Sequence, residues 1–243
     1  MLEPKDWRLH IAYFEMVLLY VDMRKYDKAE AILGDELQNC EHISRTSDVD
    51  ISTASDDLFT LLNRIGLVCL CDSNPGRAED FLTRALQGYE KRHGPDHLST
   101  LDAVSNLAEV YIFQEKYEKA KEYNRRVRQG LEKIPEATNV SILASLHQQG
   151  KIYHNLERHE EAKEVFVRVA NEYESTLESG RIETRIPALT NMEFLGDLLD
   201  DMGQKKEALS YYRRAGVGFV NLYGHDHERC QDLNRIIQSL EGW

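Results

Sequence analysis

A small residue recurs along this chain at intervals of roughly forty residues, and no other feature restricts the fold as much. Each copy lies between two apolar stripes at helical spacing, so each unit reads as a first helix, a turn and a second helix. A fixed period of this size indicates stacked supersecondary units. The recurring residue opens each second helix at Ala29, Ala78, Ala120, Ala162 and Ala208, with spacings of 49, 42, 42 and 46 residues.

Two further positions repeat together with the alanine. Twelve residues before it stands a small residue in most units, such as Gly66, Ala108 or Gly150. This pattern predicts that a small side chain faces a small side chain where the two helices approach closely. Four residues after the alanine an apolar residue is usual, and Asn124 is the exception. The pattern therefore predicts antiparallel helix hairpins in series.

These spacings resemble the tetratricopeptide repeat family, in which small, tyrosine, alanine and aromatic positions recur. The ordinary repeat has about 34 residues, whereas the 42-residue period is similar to the longer repeats of kinesin light chains. The matching turns Gly94-Pro95-Asp96-His97 and Gly224-His225-Asp226-His227 support this subfamily, and we expect their aspartates to cap the following helices. The resemblance implies an all-α fold, a right-handed α-solenoid of about five helix hairpins plus a C-terminal capping helix.

We expect one repeat domain over residues 1–243, since a stack of repeats has no internal boundary. Loops rich in Ser, Thr, Asp, Gly or Pro separate the hairpins. The expected helix pairs cover about 5–40, 56–93, 97–134, 139–179 and 185–223, and the capping helix covers about 228–240.

Charge and cysteine usage narrow the function classes. A formal net charge of -12 is unfavourable for binding nucleic acid or an anionic membrane. The four cysteines form no paired framework, and we interpret them as buried, reduced thiols. No secretory signal or membrane-spanning run is visible, which indicates the cytoplasm or nucleus, and we assign the cytoplasm. The motifs also indicate neither a cofactor nor a metal.

The resemblance implies where a partner binds, because the first helices of such hairpins line a concave groove. At the groove-facing positions the N-terminal half is apolar and the C-terminal half is mostly acidic. This distribution favours a protein or peptide partner with hydrophobic anchors and basic residues. The expected groove residues are Phe14, Leu18, Asn63, Leu67, Asp102, Ser105, Glu109, His147, Lys151, His154, Glu193 and Asp197.

The apolar first helix, about residues 5–23, leaves other interpretations open. It is equally compatible with a homodimer contact or with a face that a loop covers, because exposed apolar patches usually mark contacts. The acidic half of the groove is then a solvated surface without a partner.

An enzyme is the alternative function. His147, Lys151 and His154 lie on one side of a predicted helix, and Glu109 and Asp197 lie on its neighbours. A base, a cation and carboxylates in a concave site are typical of acid–base catalysis. The alternative is a cofactor-independent cyclase or isomerase with His147, His154 and Glu109 as catalytic residues. The histidines lack the spacing of a zinc helix, so we expect no metal site.

Overall fold

The structure is a computed structural model that describes residues 56–134, 139–177 and 185–242, together with single positions between 16 and 35. Every regular element in these residues is an α-helix, which confirms the expected fold class. The helices are α1 (Asp56–Cys71), α2 (Pro75–His93), α3 (Leu98–Phe113), α4 (Tyr117–Leu131), α5 (Asn139–Asn155), α6 (His159–Leu177), α7 (Arg185–Asp201), α8 (Lys205–Tyr223) and α9 (Glu228–Glu241).

Contacts divide the chain into two compact units, Met1–Pro135 and Glu136–Trp243. The first unit contains α1 to α4, and the second contains α5 to α9. Within each unit every helix packs against the next, and the first helices of successive hairpins also touch. This is the solenoid arrangement that the repeat period predicts. The expectation of one domain over residues 1–243 stays a prediction.

Histidines, not aspartates, cap the helices that follow the two matching turns. Nδ1 of His97 accepts a hydrogen bond from the backbone N–H of Ser99, and Nδ1 of His227 accepts one from Arg229, each at 3.2 Å. Each histidine is the extended residue directly before its helix, the position whose side chain reaches the free amides of the first turn. The expectation that Asp96 caps α3, and its counterpart for α9, is therefore wrong.

In three of the described hairpins a large side chain of the second helix packs on a glycine of the first helix. A Cβ atom at Gly150 would lie 2.5 Å from Cε1 of Phe166, and one at Gly196 would lie 2.7 Å from Cε1 of Tyr212. The nearest atoms thus belong to the large residue four positions after the repeat alanine. Small still faces small at Gly66, where the carbonyl oxygen of Ala78 would lie 3.3 Å from a Cβ atom, but the space left by the missing Cβ is filled mainly by the large side chain.

A second glycine position repeats in the second helices, ten residues after the alanine. Here a large side chain of the first helix covers a glycine of the second, so the hairpin interlocks in both directions. A Cβ atom would come within 2.2 to 2.5 Å of that side chain. The pairs are Gly88 with Phe59, Gly130 with Leu101 and Gly218 with Leu189.

The core is a thin layer between helices. All five recurring alanines are fully buried. Cys69 and Cys230 are buried as expected, whereas Cys71 is exposed, because it lies in the last turn of α1. Cys40 lies outside the described residues. Among the helices that the structure describes, none combines the length and apolar character that crossing a membrane requires.

Candidate functional site

A row of carboxylates runs along α7 in the second unit, and we call it the acidic stripe. The first three members are spaced four and three residues apart, and the last lies four residues after the second, so that they lie toward one side of the helix. This is the side that the sequence predicts to face a partner. The acidic stripe consists of Glu193, Asp197, Asp200 and Asp201.

Glu193 is already neutralised by an arginine of α9. Nε and Nη2 of Arg229 donate to Oε2 of Glu193 at 3.1 and 2.6 Å, and Nη2 also donates to Oγ1 of Thr190 at 3.0 Å. The guanidinium carbon lies 4.1 Å from the ring centroid of Phe219. A carboxylate, a hydroxyl and an aromatic face thus form a complete guanidinium site.

Asp197 is a half-buried carboxylate with one hydrogen-bond donor. The hydroxyl of Tyr212 donates to its Oδ1 at 2.7 Å. Burial raises the pKa of Asp197 and the charges of Glu193 and Asp201 add to this, whereas the Tyr212 hydrogen bond and His154 oppose it. The ionised form of Asp197 is therefore under-compensated within the second unit.

The last two members of the stripe differ in their partners. Oδ2 of Asp201 lies 3.5 Å from Nε2 of His154 on α5. The side chain of Asp200 forms no hydrogen bond or ion pair with any residue that the structure describes. Asp200 thus offers a negative charge next to the under-compensated Asp197.

His147 packs between three helices, and its predicted role in binding or catalysis stays a prediction. Its Nδ1 donates to Oδ1 of Asn191 at 3.0 Å, an orientation that is fixed because Nδ2 of the fully buried Asn191 donates to the carbonyl of Phe166 at 2.9 Å. The His147 ring centroid lies 5.4 Å from that of Phe166 and 5.0 Å from that of Phe194. These contacts give His147 a packing role at the α5–α6–α7 junction.

Lys151 and His154 follow His147 along α5. Nζ of Lys151 lies 5.3 Å from the ring centroid of Phe194. The rings of His154 and His159 are 5.7 Å apart, and the buried Nδ1 atom of each has no hydrogen-bond partner among the described residues. Across the residues that the structure describes, no group of three His, Cys, Asp or Glu side chains is placed to hold a metal ion.

The predicted groove residues of the first unit lie on α1 and α3. Nδ2 of Asn106 donates to Oδ1 of Asn63 at 3.0 Å and links α1 to α3. Leu67 is 36% exposed. Asp102 is exposed on α3, and partial desolvation of its carboxyl group raises the pKa of that group. Ser105 is half-buried on α3.

Three predictions are not tested by these contacts. Phe14 and Leu18 lie outside the described residues. Glu109 is half-buried on α3 in the first unit, and its convergence with His147 and His154 stays a prediction, because those residues belong to the second unit.

Sequence reasoning missed the residues that pair with Glu193, Asp197 and His147. Arg229 is the clearest case, and a comparison of the two matching turns would have revealed it. Ser99 occupies the corresponding position after the first turn, so an arginine after the second turn is a departure that needs a partner. Tyr212 and Asn191 carry no such signal, because their roles depend on contacts between helices.

These contacts define a class of protein, an all-helical repeat scaffold. Models of the tetratricopeptide repeat match residues 57–133, 103–175 and 191–215, which together cover more than half of the chain. The chain belongs to the tetratricopeptide repeat family. Repeats of this family form a scaffold that is typically used for protein–protein interaction. Comparison with curated proteins gives no match.

Solved structures share the fold. A kinesin light chain-like protein of Podosopora anserina with nearly identical TPR-like repeats gives a TM-score of 0.61 at 18% identity, covering 89% of this chain and 97% of that chain. A single-substitution form of that protein gives 0.63 at 18% identity, with coverages of 88% and 96%. BtubC from P. vanneervenii gives 0.64 at 14% identity, with coverages of 91% and 84%. At these identities the likeness concerns the fold, which is that of kinesin-light-chain-like repeats.

Proposed function

We propose that this protein is an interaction module that binds a peptide or partner segment carrying basic and apolar residues. The segment lies in the concave groove of the repeat superhelix, along the first helices of the hairpins. One observation carries the proposal. On the side of α7 that is predicted to face the groove, the desolvated carboxylate of Asp197 lies one turn before Asp200, which has no partner among the described residues.

The electrostatics support a basic partner. Burial and the neighbouring carboxylates make ionised Asp197 unfavourable, and a partner's cation near it relieves that cost. A site that carries such a cost in the free protein is typical of functional surfaces. Lys151 and His154 stay part of the proposed site, since they border the acidic stripe from α5.

The apolar part of the partner belongs to the first hairpins in this proposal. Leu67 is exposed on α1. In the sequence Leu18 holds the corresponding position of the preceding repeat, and Phe14 lies one helical turn before Leu18. Apolar anchors in pockets supply most of the affinity of such segments, while charges supply specificity. A homodimer through the N-terminal helix remains a proposal beside this one, as does the cytoplasmic location.

Selection from a displayed peptide library, followed by affinity measurement, tests the proposal. We expect selected peptides to be enriched in Lys or Arg and in large apolar residues. Asp200→Lys should weaken their binding by about tenfold or more, because it places a like charge at the partner's cation. Glu109→Lys applies the same test to the first unit.

Glu164→Lys is the matched control, since Glu164 is an exposed carboxylate of α6 outside the first-helix face. It makes the same charge change and should leave affinity within about twofold. Both variants should melt within a few degrees of the unmodified protein, because substitutions of side chains outside the packed core rarely change stability by more than about 0.5 kcal/mol. Equal losses in the two variants, or peptides without basic residues, would contradict the proposal.

A further inference from the structure

Helix α9 covers the outer side of α8 through one apolar stripe. Cys230 and Leu233 are buried in the core of the second unit, and Ile237 is half-buried against it. A Cβ atom at Gly216 of α8 would lie 3.5 Å from Leu233, which shows how closely α9 crosses α8. The opposite side of α9 is polar and exposed. Helix α9 is therefore an amphipathic helix seated on α8.

In the first unit α3 follows α2 after the matching turn, and it packs against α2 on one side and α4 on the other. The buried residues of α3 run from Thr100 to Ile112 and include most of its apolar side chains. Those of α9 are Cys230 and Leu233, and Ile236, Ile237 and Leu240 are half-buried against the same core. Apolar burial is the main source of docking energy. Among the described helices α9 packs chiefly against α8, whereas α3 packs against two neighbours, so α9 is held with less apolar burial than α3.

A guanidinium anchor replaces part of that burial. In the first unit Tyr89 of α2 reaches Oγ1 of Thr60 with its own hydroxyl at 2.9 Å. Phe219, which holds the corresponding place in α8, has no hydroxyl. Arg229 lies over Phe219 and donates to Thr190, the counterpart of Thr60. The docking of α9 thus depends on a polar contact that a competing arginine can replace.

We propose that the α8 face under α9 is an interaction surface, which α9 occupies as an exchangeable internal ligand. The competing partner is an amphipathic helix with an arginine in its first turn and apolar residues one, four and eight positions later. That spacing copies Arg229, Cys230, Leu233 and Ile237. Charge complementarity supports this occupant, because Glu193 loses its counter-charge when Arg229 leaves. The surface goes beyond the peptide site proposed above and shares only Glu193 with it.

A peptide of residues 225–242 with Cys230→Ser, added to the full chain, tests the exchange. Arg229→Ala in the protein removes the internal anchor but leaves Glu193, Thr190 and Phe219 in place. We expect this variant to bind the peptide about tenfold or more tightly than the unmodified protein does, given the net worth of hydrogen bonds to charged groups. A peptide that also carries Arg229→Ala should bind neither protein.

Arg235→Ala is the matched control, because Arg235 is an exposed arginine of α9 that pairs with Asp232 of the same helix. It should bind the peptide like the unmodified protein. Hydrogen exchange gives a second measurement: α9 amides should exchange about tenfold faster in the Arg229→Ala variant than in the control, with α5 and α6 unchanged. Arg229→Lys keeps the positive charge but loses the two-nitrogen contact of the guanidinium group. The exchange rate of its α9 amides should therefore lie between those of the Arg229→Ala and Arg235→Ala variants.

Equal peptide affinity in the Arg229→Ala and Arg235→Ala variants would overturn the inference, as would equal exchange of their α9 amides. If the Arg229→Ala variant forms a dimer that the peptide cannot dissociate, the occupant of the surface is a second copy of this chain. That result would overturn the inference of a separate partner. Asp200→Lys should leave binding of the α9 peptide unchanged. Failure of the peptide-groove proposal is therefore distinguishable from failure of this one.

Discussion

Glu79 and Asp197 are two half-buried carboxylates whose surroundings act on stability in opposite directions. Burial alone would raise the pKa of Glu79, but hydrogen bonds from Gln114 and Tyr111 and the charges of Lys116 and Lys119 outweigh it, so the pKa lies below its ordinary value. The Tyr111 hydroxyl donates to Oε1 at 3.0 Å, and Gln114 donates to Oε2 at 3.0 Å. Glu79 thereby joins α2 to α3.

We predict that Glu79→Gln lowers the free energy of unfolding by about 1–2 kcal/mol at neutral pH, because hydrogen bonds to a charged acceptor are lost. A lowered pKa gives stability that is present above the unfolded-state pKa and is lost as pH falls through the folded-state pKa. The difference between variant and unmodified protein should therefore shrink in acid. Urea unfolding near neutral pH and at about pH 3 measures it.

Glu118→Gln is a suitable control, since Glu118 is exposed and its ion pair with Lys121 is 3.8 Å long. It should cost less than about 0.5 kcal/mol. A pH-independent loss in Glu79→Gln would show that packing, not charge, holds this junction.

Asp197→Asn should instead stabilise the protein at neutral pH. A carboxyl whose folded-state pKa is raised destabilises the fold above the unfolded-state pKa, and this cost disappears as pH falls below it. The amide oxygen of asparagine can still accept the Tyr212 hydrogen bond. Thermal melts should show a higher midpoint for the variant near pH 7 and no gain at about pH 3. If the variant is less stable than the unmodified protein at both pH values, the Asp197 carboxylate does not carry the desolvation cost proposed for it.

Single residues were the hardest part of the site to predict from sequence. The positions of Glu193 and His147 on their helices follow from the repeat pattern. Their partners do not, because Arg229 reaches Glu193 from 36 residues away and Asn191 reaches His147 from 44. Such pairings depend on how helices cross, which a periodic pattern does not specify.

At the scale of helices, the glycines determine how closely each hairpin can close. Gly150→Ala would place a Cβ atom 2.5 Å from Phe166. We predict a net loss of up to about 2 kcal/mol, since overpacking costs about 1–3 kcal/mol and the gain in helix propensity is about 1 kcal/mol. Chemical denaturation measures the loss, and Phe166→Leu in the same chain should recover part of it by freeing the space of the ring.

Gly216→Ala is the matched control, because a Cβ atom there would meet Leu233 at an ordinary 3.5 Å. This variant should be as stable as the unmodified protein or more stable by up to about 1 kcal/mol. Comparable losses in the two variants would show that glycine flexibility, not space, matters in these helices.

The helix hairpins were predictable from the sequence. The glycine contacts within them and the caps of the turns between them were only partly predictable. The alanine period and the first-helix glycines placed the helix pairs, because packing positions repeat with the helix. The second glycine position was also present, as at Gly88 and Gly130, but it lay outside the family's pattern of small and aromatic positions. The capping role of His97 was missed because aspartate is the commoner cap and stands one residue earlier.

At the scale of the whole molecule, the net charge of -12 should govern how quickly a basic partner arrives. Surface potential accelerates association with opposite charges, and salt screens it. We predict that the association rate of a selected basic peptide falls by about tenfold or more between low and high ionic strength, with a smaller change in the dissociation rate. Stopped-flow kinetics measures both, and a salt-independent association rate would exclude electrostatic steering.

The turns before α3 and α9 lie 130 residues apart and share the same glycine conformation, aspartate and histidine cap. The glycine φ angles are 87° and 85°. Because the two turns have the same geometry, either of them can end the preceding helix and cap the following one. A descendant gene could therefore gain or lose three hairpins at once with every helix end still properly terminated, and lineages of such proteins should differ in length by whole multiples of the hairpin.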